Sequence, residues 1–359
     1  MKKQFLVTSI IMLCLVSLTL VGCNNNNEEE TPVTEPETVA TEITTAQEEP
    51  ATEVAADPVE INIGVLQGPT AMGMIGLMDA ADNDNIGGDT YNFTVAGSPD
   101  EIVPAIVQGN LDIAAVPSNL ASVLYNNTEG DVQVIAINTL GVLHIVESGD
   151  EITSIEDLRG RTIYASGHSS APEFILNYIL EGNGLDPETD VYIEWLAEHT
   201  EVVARLGMNE DAVAMLPQPF VTVAQTQNDD LRIALDLTAE WEAIQANTDG
   251  PDSALIMGVM VARREFIENN PTAIANFLER YAESVSFVNN NVEEAAQLLE
   301  YYDIFPAPIA QRAIPHSNVV FIIGSEMQEL FSGYLQVLYE QHPGSIGGAM
   351  PSEEFYFIQ

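Results

Sequence analysis

Short apolar runs alternate with helical stretches from about residue 58 onward, and this alternation limits the possible folds more than any other feature. The runs 61–66, 91–96 and 112–116 predict three strands, each followed by a segment with helical periodicity. Strands separated by helices are typical of α/β units. A segment of roughly 300 residues is long for one hydrophobic core, so the sequence predicts an α/β protein with two lobes.

The two halves of this segment share a related motif. Residues 112–118 read DIAAVPS and residues 211–218 read DAVAMLPQ. In each, an Asp leads a strand of small residues that stops at a proline, and helices are predicted on both sides. The sequence therefore predicts two similar lobes, the first from residues 58–148 and 255–359 and the second from residues 149–254.

The last third of the chain has a mostly helical pattern. Helices are predicted over 270–289 and 325–341, after a strand over 257–263 that returns to the first lobe. Near the start of the first lobe, Ser98 followed by Pro99 and Glu101 has the residue types of a helix N-terminus with a capping box.

The N-terminal residues 1–23 have the layout of a secretory signal. Lys2 and Lys3 are followed by an apolar run over 5–21, and Gly22 precedes Cys23. This resembles a bacterial lipoprotein signal, which implies that Cys23 is lipidated and anchors the protein outside the cytoplasm. The alternatives are a plain signal peptide with a chance cysteine and an uncleaved anchor, for which the run is short.

Residues 24–57 have the composition of a disordered acidic linker. They contain no aromatic and no basic residue, and Glu, Thr and Pro dominate. Such a segment buries too little apolar surface to fold, and its like charges and prolines keep it extended. We expect it to hold the lobes away from the membrane, or to be a tolerated disordered tail.

The charge balance excludes one class of partner. The formal net charge is −45, and after Lys3 only arginines supply positive charge. Nucleic acid is excluded because phosphate contacts need basic side chains. The acidic residues are interpreted as a solvated shell, with a cation-binding surface as the alternative.

Ligand-binding residues are expected where strands end. Open α/β sheets bind ligands at the carboxyl ends of their strands, where helix N-termini offer free N–H groups. Loops 67–73, 117–119, 166–170 and 217–220 occupy such positions. The candidate ligand-binding residues are Gly68, Thr70, Met72, Ser118, Asn119, Asn138, Ser166, His168, Ser169, Ser170, Gln218 and Phe220.

Each candidate has a structural alternative. Thr70, Ser118 and Asn119 have the residue types of ordinary helix caps. His168 is also consistent with an exposed loop histidine. For Met72 and Phe220, core packing is the default interpretation.

Enzymatic chemistry has little support in the sequence. The five histidines are scattered without metal-ligand spacing, and no cysteine follows Cys23. No nucleophile-elbow motif is present. We therefore expect no catalytic residue, metal or cofactor.

Several motifs carry a resemblance to a known family. They lie at 63–70, 97–102, 109–114, 155–163 and 214–220. With them the chain resembles the substrate-binding lipoproteins of ABC importers, in the group similar to nitrate, sulfonate, taurine and thiamine-precursor binders.

The resemblance implies a two-lobed, periplasmic-binding-protein-like clamp of type II with a helical C-terminal part. A monomer would close on a small molecule by hinge motion and deliver it to an ABC permease. The implied ligand is a small heterocycle of the thiamine-precursor kind or a sulfonate-type anion. The alternatives are a ligand-sensing partner of a membrane receptor and an enzyme like the pyrimidine-precursor synthases, whose cysteine-rich iron motif has no counterpart in this chain.

Overall fold

The computed structural model describes residues 58–83, 88–208, 211–248 and 252–358. The predicted signal 1–23, with Cys23, and the predicted linker 24–57 lie outside the described residues. The described part forms eleven strands and thirteen α-helices, which build two separate sheets.

The strands are β1 (Glu60–Leu66), β2 (Thr90–Ala96), β3 (Ile113–Pro117), β4 (Val132–Leu140), β5 (Leu143–Ser148), β6 (Thr162–Ser166), β7 (Tyr192–Leu196), β8 (Val213–Pro217), β9 (Leu231–Asp236), β10 (Ile256–Arg263) and β11 (Val319–Ile322). The helices are α1 (Pro69–Met72), α2 (Ile75–Asp82), α3 (Pro99–Val107), α4 (Ser118–Asn127), α5 (Ala171–Gly182), α6 (His199–Leu206), α7 (Phe220–Gln227), α8 (Leu237–Gln245), α9 (Arg264–Asn269), α10 (Pro271–Asn290), α11 (Val292–Tyr301), α12 (Ala307–Ala313) and α13 (Gly324–Gln341).

The two sheets share one strand order. The sheet of the first lobe runs β11-β4-β10-β3-β1-β2, and that of the second lobe runs β9-β5-β8-β6-β7. In each, three parallel strands (β2, β1 and β3, or β7, β6 and β8) are followed by an antiparallel strand, β10 or β5. The two copies of the DIAAVPS-like motif are the central strands β3 and β8, which occupy equivalent positions.

The antiparallel strands are contributed by the two segments that cross between the lobes. β5 follows β4 of the first sheet after only Gly141 and Val142, and β10 returns to the first sheet after α8. The sequence analysis did not identify β5, because its apolar residues directly continue those of β4. The crossover therefore precedes the lobe boundary predicted after residue 148.

Apolar packing joins the lobes on the side where the chain crosses. One core cluster contains Val261 of the first sheet and Ile145 of the second, together with Trp241 and Tyr334. The Trp241 and Tyr334 ring centroids lie 5.7 Å apart, so α8 and the C-terminal helix α13 are in direct contact. Two further clusters lie within the individual lobes.

The capping box predicted at the N-terminus of α3 does not form its expected hydrogen bonds. α3 does begin at Pro99, but Ser98 makes no side-chain capping bond. The Glu101 carboxylate instead accepts the backbone N–H of Gly97 at 3.2 Å. The glutamate thus reaches one residue beyond the position that a capping box requires.

Among the residues that the structure describes, no helix combines the length and the apolar character of a membrane span. Within the same ranges, no cluster of His, Cys, Asp and Glu is suited to hold a metal ion.

Candidate ligand-binding cleft

A cavity of about 850 Å³ lies between the two lobes. Its first wall comes from residues after β1, β2 and β3, and its second wall from residues after β6, β7 and β8. It therefore lies at the carboxyl ends of the parallel strands of both sheets, where open α/β sheets bind ligands. Its floor contains Thr139 and Val142, which flank the crossover from β4 to β5.

Six helices begin at this cavity. Their first residues or N-caps line it: Pro69 of α1, Pro99 of α3, Pro117 before α4, Ser170 before α5, His199 of α6 and Phe220 of α7. None of these six helices has a side-chain hydrogen bond capping its N-terminus. The first N–H groups of a helix lack an intrahelical partner and carry a partial positive charge, which favours anions, although Pro at N1 or N2 removes one donor in α1, α3 and α5.

The side chains around the cavity are mostly neutral. In the described part of the chain, neither Lys nor Arg contributes to the lining, and Glu198 and His199 are its two titratable residues. Apolar surface comes from Val142, Leu143, Leu120, Phe220, Met257, Ile304 and Phe305. The cavity thus combines polar backbone with apolar and aromatic side chains, which is typical of small-molecule sites.

His199 is held in place from two sides. Its Nδ1 lies 2.5 Å from the Oγ of Ser166, the last residue of β6. Its ring packs on Phe220, with the centroids 4.7 Å apart. Burial lowers the pKa of His199, and the negative charge of Glu198 opposes this shift. The imidazole is therefore predominantly neutral at pH 7.

Thr70 and the end of β4 form a polar wall in the first lobe. The Asn138 side-chain amide donates to the Thr70 carbonyl at 3.4 Å, and the Thr139 hydroxyl donates to Asn138 Oδ1 at 3.0 Å. Gly258 allows this close packing, since a Cβ atom there would lie 2.5 Å from Asn138 Oδ1 and 2.6 Å from Thr70 Cγ2. This network fixes the direction of α1 at the cleft.

The sequence also matches a known family. A profile described as "ABC transporter, phosphonate, periplasmic substrate-binding protein" matches residues 84–297, which is more than half of the chain. The chain belongs to this family of ABC-transporter substrate-binding proteins. The family is a binding component of transporters that acts outside the cytoplasm. No curated protein sequence matches this substrate-binding protein significantly.

Solved structures agree on the fold. An ABC transporter protein from Parabacteroides distasonis is similar with a TM-score of 0.68 and 20% identity, over 82% of this chain and 98% of that chain. The periplasmic aliphatic sulphonate binding protein SsuA from Escherichia coli gives a TM-score of 0.65 at 16% identity, over 81% of this chain and 96% of that one. The alkanesulfonate-binding protein SsuA from Xanthomonas axonopodis pv. citri, bound to MOPS, gives 0.58 at 13% identity, over 83% and 96%. The predicted α/β fold, a type II two-lobed clamp, is confirmed.

The structure brings together part of the ligand-binding set predicted for this substrate-binding protein. Thr70, Asn119, Ser170, Gln218 and Phe220 all line the cavity. Gly68 lies between two lining residues and has a φ of 141°, a backbone conformation that favours glycine. The contact of these residues with a ligand stays a prediction.

Three predicted polar residues lie behind the cavity wall. Ser118 is buried and donates to the Ile256 carbonyl at 2.7 Å, so its hydroxyl holds α4 against β10. Asn138 and Ser166 are also buried, and each contacts a lining residue, Thr70 or His199. These side chains position the wall and do not form its surface.

Three other candidates lie away from the cavity. Met72 is fully buried in the core of the first lobe, in agreement with its alternative interpretation as a packing residue. His168 is exposed, and its Nδ1 lies 2.9 Å from Oε2 of Glu173. Ser169 directs its backbone N–H to the same carboxylate at 2.5 Å. The Glu173 carboxylate thus closes the 166–170 loop, and neither residue contributes to the cavity lining.

Several lining residues were missed by the sequence analysis. The strand-end rule, applied to β2 and β7, would have found Gly97, Pro99, Glu198 and His199, because both strands were predicted. Ile304 and Phe305 carry no such signal, since they come from a loop between α11 and α12. Only the tertiary fold places that loop at the cleft.

Proposed function

We propose that this substrate-binding protein captures a small organic monoanion with a sulfonate-type head between its lobes and delivers it to an ABC permease. The observation that carries the proposal is the meeting of six helix N-termini without side-chain caps at one cavity. The oxygens of a sulfonate accept several hydrogen bonds at once, as such a set of N–H donors requires.

The surrounding charge favours a single negative charge on the ligand. The lining offers no Lys or Arg among the described residues, and Glu198 adds a carboxylate. The net charge of −45 raises the cost of bringing a further anion to the cleft. A sulfonate carries one charge, whereas a phosphonate can carry two, so the cleft should discriminate against the dianion.

The apolar part of the wall favours an organic substituent. Phe220, Phe305 and Ile304 lie along the same cavity as the helix N-termini. A volume of about 850 Å³ exceeds the needs of an inorganic anion and falls in the range of small-molecule pockets. An alkyl or aryl group would remove this apolar surface from water.

A neutral heterocycle of the thiamine-precursor kind is the second candidate. Its support is the neutral, partly aromatic lining, in which Phe220 and Phe305 offer faces for stacking. Such a ligand would use Gln218 and Asn119 as hydrogen-bond partners and would not need the helix N-termini as charge partners.

The transport role rests on the family and on the sequence. Two chain crossings between the lobes give the clamp its hinge, and the lipid at Cys23 would keep a monomeric clamp near the permease. We propose no enzymatic activity. A sensor role would use the same cleft with a receptor in place of the permease.

A ligand panel tests this function. The thermal midpoint of the full-length protein, held in detergent at high salt, would be measured with alkyl sulfonates, the matching phosphonates, taurine, nitrate, and thiamine and its pyrimidine. A ligand at 100 times its Kd adds about 2.7 kcal/mol to the free energy of unfolding. A shift confined to sulfonates supports the first candidate, and one confined to the pyrimidine supports the second. A cooperative melt without any shift contradicts both.

Two matched variants locate the site. Phe220→Ala should weaken binding of the active ligand by about tenfold or more, because it removes a ring from the cavity wall. Tyr192→Ala is the control, since Tyr192 is an exposed aromatic residue of β7 outside the cleft lining. Equal loss in both variants would contradict binding in this cleft. Uptake by membrane vesicles containing the cognate permease would then separate transport from sensing.

A further inference from the structure

His199 differs in kind from the other side chains that line the cleft. In the described ranges it is the one lining residue able to carry a positive charge at ordinary pH. It is the first residue of α6, so its own backbone N–H also belongs to one of the six uncapped N-termini. The side chain and the backbone thus offer donors at the same point of the wall.

The position of the ring leaves one nitrogen for a ligand. Nδ1 faces the Ser166 hydroxyl at 2.5 Å, and Phe220 packs on the ring. No partner for Nε2 is found among the described residues. Ser166 is buried at the end of β6, so it anchors the inner edge of the imidazole and leaves Nε2 available to the cavity.

We propose that His199 is a specificity-determining residue of the cleft, and that an anionic ligand is bound together with one proton taken up from solvent by this imidazole. In the imidazolium, Nδ1–H donates to Ser166 Oγ and Nε2–H donates to an oxygen of the ligand. The proton adds one positive charge to the cleft, which balances a single negative charge on the ligand. The inference rests on the proposed function, because it concerns the anion bound at that same site.

The charged groups around His199 are compatible with proton uptake by its imidazole. Glu198 precedes it, and α6 also carries Glu201 and Arg205, of which Arg205 pairs with Glu194 of β7 at 3.2 Å. The packed strands add Tyr164 and Tyr192, whereas α7 and β8 contain no titratable residue. Across the cleft, the acidic residues next to lining residues in the sequence are Asp100, which follows Pro99, and Asp303, which precedes Ile304.

The pKa of His199 should therefore differ between the protein without ligand and the protein with a bound anion. Burial keeps the pKa of His199 low, and Glu198 offsets this in part. A bound anion adds a negative charge next to the ring, which raises the pKa. Between the two pKa values, affinity for the anion should increase up to about tenfold for each unit by which the pH falls. A neutral ligand lacks this dependence.

Calorimetry tests the inference. Binding of hexanesulfonate to the full-length protein would be measured from pH 5.5 to 8.5, in buffers with different heats of ionisation that report proton uptake. We expect net uptake by the wild type and tighter binding at lower pH. The His199→Gln variant keeps an N–H donor but cannot gain a charge, so its affinity should be independent of pH and should take up no proton.

His168→Gln is the matched control, because His168 lies one loop away and outside the cavity lining. It should behave as the wild type. Retained pH dependence in His199→Gln, or binding by the wild type without proton uptake, would overturn the inference and leave the sulfonate site intact. Absence of hexanesulfonate binding at every pH would contradict the proposed function as well.

A second measurement does not depend on the folding of a variant. Proton NMR of the five histidines follows each ring through its titration, with and without hexanesulfonate. One ring, assigned to His199 from its contact with Phe220 or from its absence in the spectrum of His199→Gln, should show a higher pKa with the ligand bound. An unchanged pKa would contradict proton uptake at this residue.

Discussion

The two walls of the cleft are built on the same strand order, yet they carry different chemistry. Each lobe contributes three helix N-termini from the carboxyl ends of three parallel strands. The titratable side chains, Glu198 and His199, both come from the second wall, and the first wall is neutral among the described residues. Both lobes therefore contribute backbone N–H donors to the cleft. Only the second lobe contributes described side chains whose charge depends on pH.

A second difference lies beneath the walls, at two equivalent residues. Gly258 of β10 pairs with Pro117 at the end of β3, and Leu143 of β5 pairs with Pro217 at the end of β8. In the first lobe the glycine lets Thr70 and Asn138 approach the strand directly. In the second lobe the leucine fills the corresponding space with an apolar side chain. At this position the first lobe packs by close approach of the backbone at Gly258, and the second lobe packs by the side-chain volume of Leu143.

Substitution of Leu143 or Gly258 should give the largest change in the free energy of unfolding. Leu143→Ala removes a buried side chain and should lower the free energy of unfolding by about 2–5 kcal/mol. Gly258→Ala places a methyl group against Thr70 and Asn138 and should cost about 1–3 kcal/mol through strain. Urea unfolding at high salt measures both values.

Gly207→Ala is the control for the glycine substitution. Gly207 has a φ of −71°, and the nearest atom to an added Cβ there would be 3.6 Å away. Its effect should stay within about 0.5 kcal/mol. If Gly258→Ala were equally neutral, the close approach of α1 to β10 would not limit the first wall.

Gly258 and Leu143 also show which features of the fold can be predicted from the sequence and which cannot. The α/β order, the repeat of β3 and β8 and the strand-end loops follow from local patterns, because apolar periodicity and proline positions act within a few residues. The pairing of Gly258 with Pro117, or of Leu143 with Pro217, joins segments far apart in the chain and depends on which sheet each crossing strand enters. The site was accordingly predicted at loops that follow strands and missed at Ile304 and Phe305.

The next position along the crossing strands gives a pH-dependent difference between the lobes. Val259 pairs with Val116 in the first sheet, and His144 pairs with Leu216 in the second. Both ring nitrogens of His144 are buried without a hydrogen-bond partner among the described residues. Its Nδ1 lies 3.9 Å from Asp236, and repulsion from His316 of the first lobe adds to the lowering of its pKa.

Acid should therefore destabilise the fold at His144. Burial lowers its pKa below the ordinary value of 6.5, and Asp236 opposes this only in part. Well above pH 6.5 the ring is neutral in both states and contributes no pH dependence. As the pH falls below 6.5, the unfolded chain binds a proton that the folded protein does not, so stability decreases by up to about 1.4 kcal/mol per pH unit.

His144→Phe should remove this part of the acid response while it preserves a ring of similar size. Stability of the wild type, His144→Phe and the control His168→Gln would be compared between pH 5 and 7.5 by urea unfolding. The Phe variant should show a shallower slope, and the control should follow the wild type because His168 is exposed. An identical slope in all three proteins would assign the acid response to other groups.

The smallest expected effect concerns one hydrogen bond between the two lobes. Arg312 of α12 in the first lobe donates to the hydroxyl of Thr226, on α7 of the second lobe, at 3.0 Å. Both residues belong to elements that adjoin the cleft, since α12 follows Phe305 and α7 begins with Phe220. Because this bond spans the two lobes, we expect it to form in the closed clamp and to break when the lobes separate.

Loss of the bond should weaken ligand binding without loss of stability within either lobe. An exposed hydrogen bond contributes about 0.5–1 kcal/mol, which corresponds to roughly a two- to fivefold lower affinity if the bond is broken in the open state. Arg312→Gln and Thr226→Val should have similar effects, and the double variant should be no weaker than either alone, because each removes the same bond. Additive effects would indicate that the two side chains act separately. An affinity unchanged in all three would mean that the lobes remain in contact at this point whether or not the ligand is bound, so that the motion of the clamp is centred near α12 and α7.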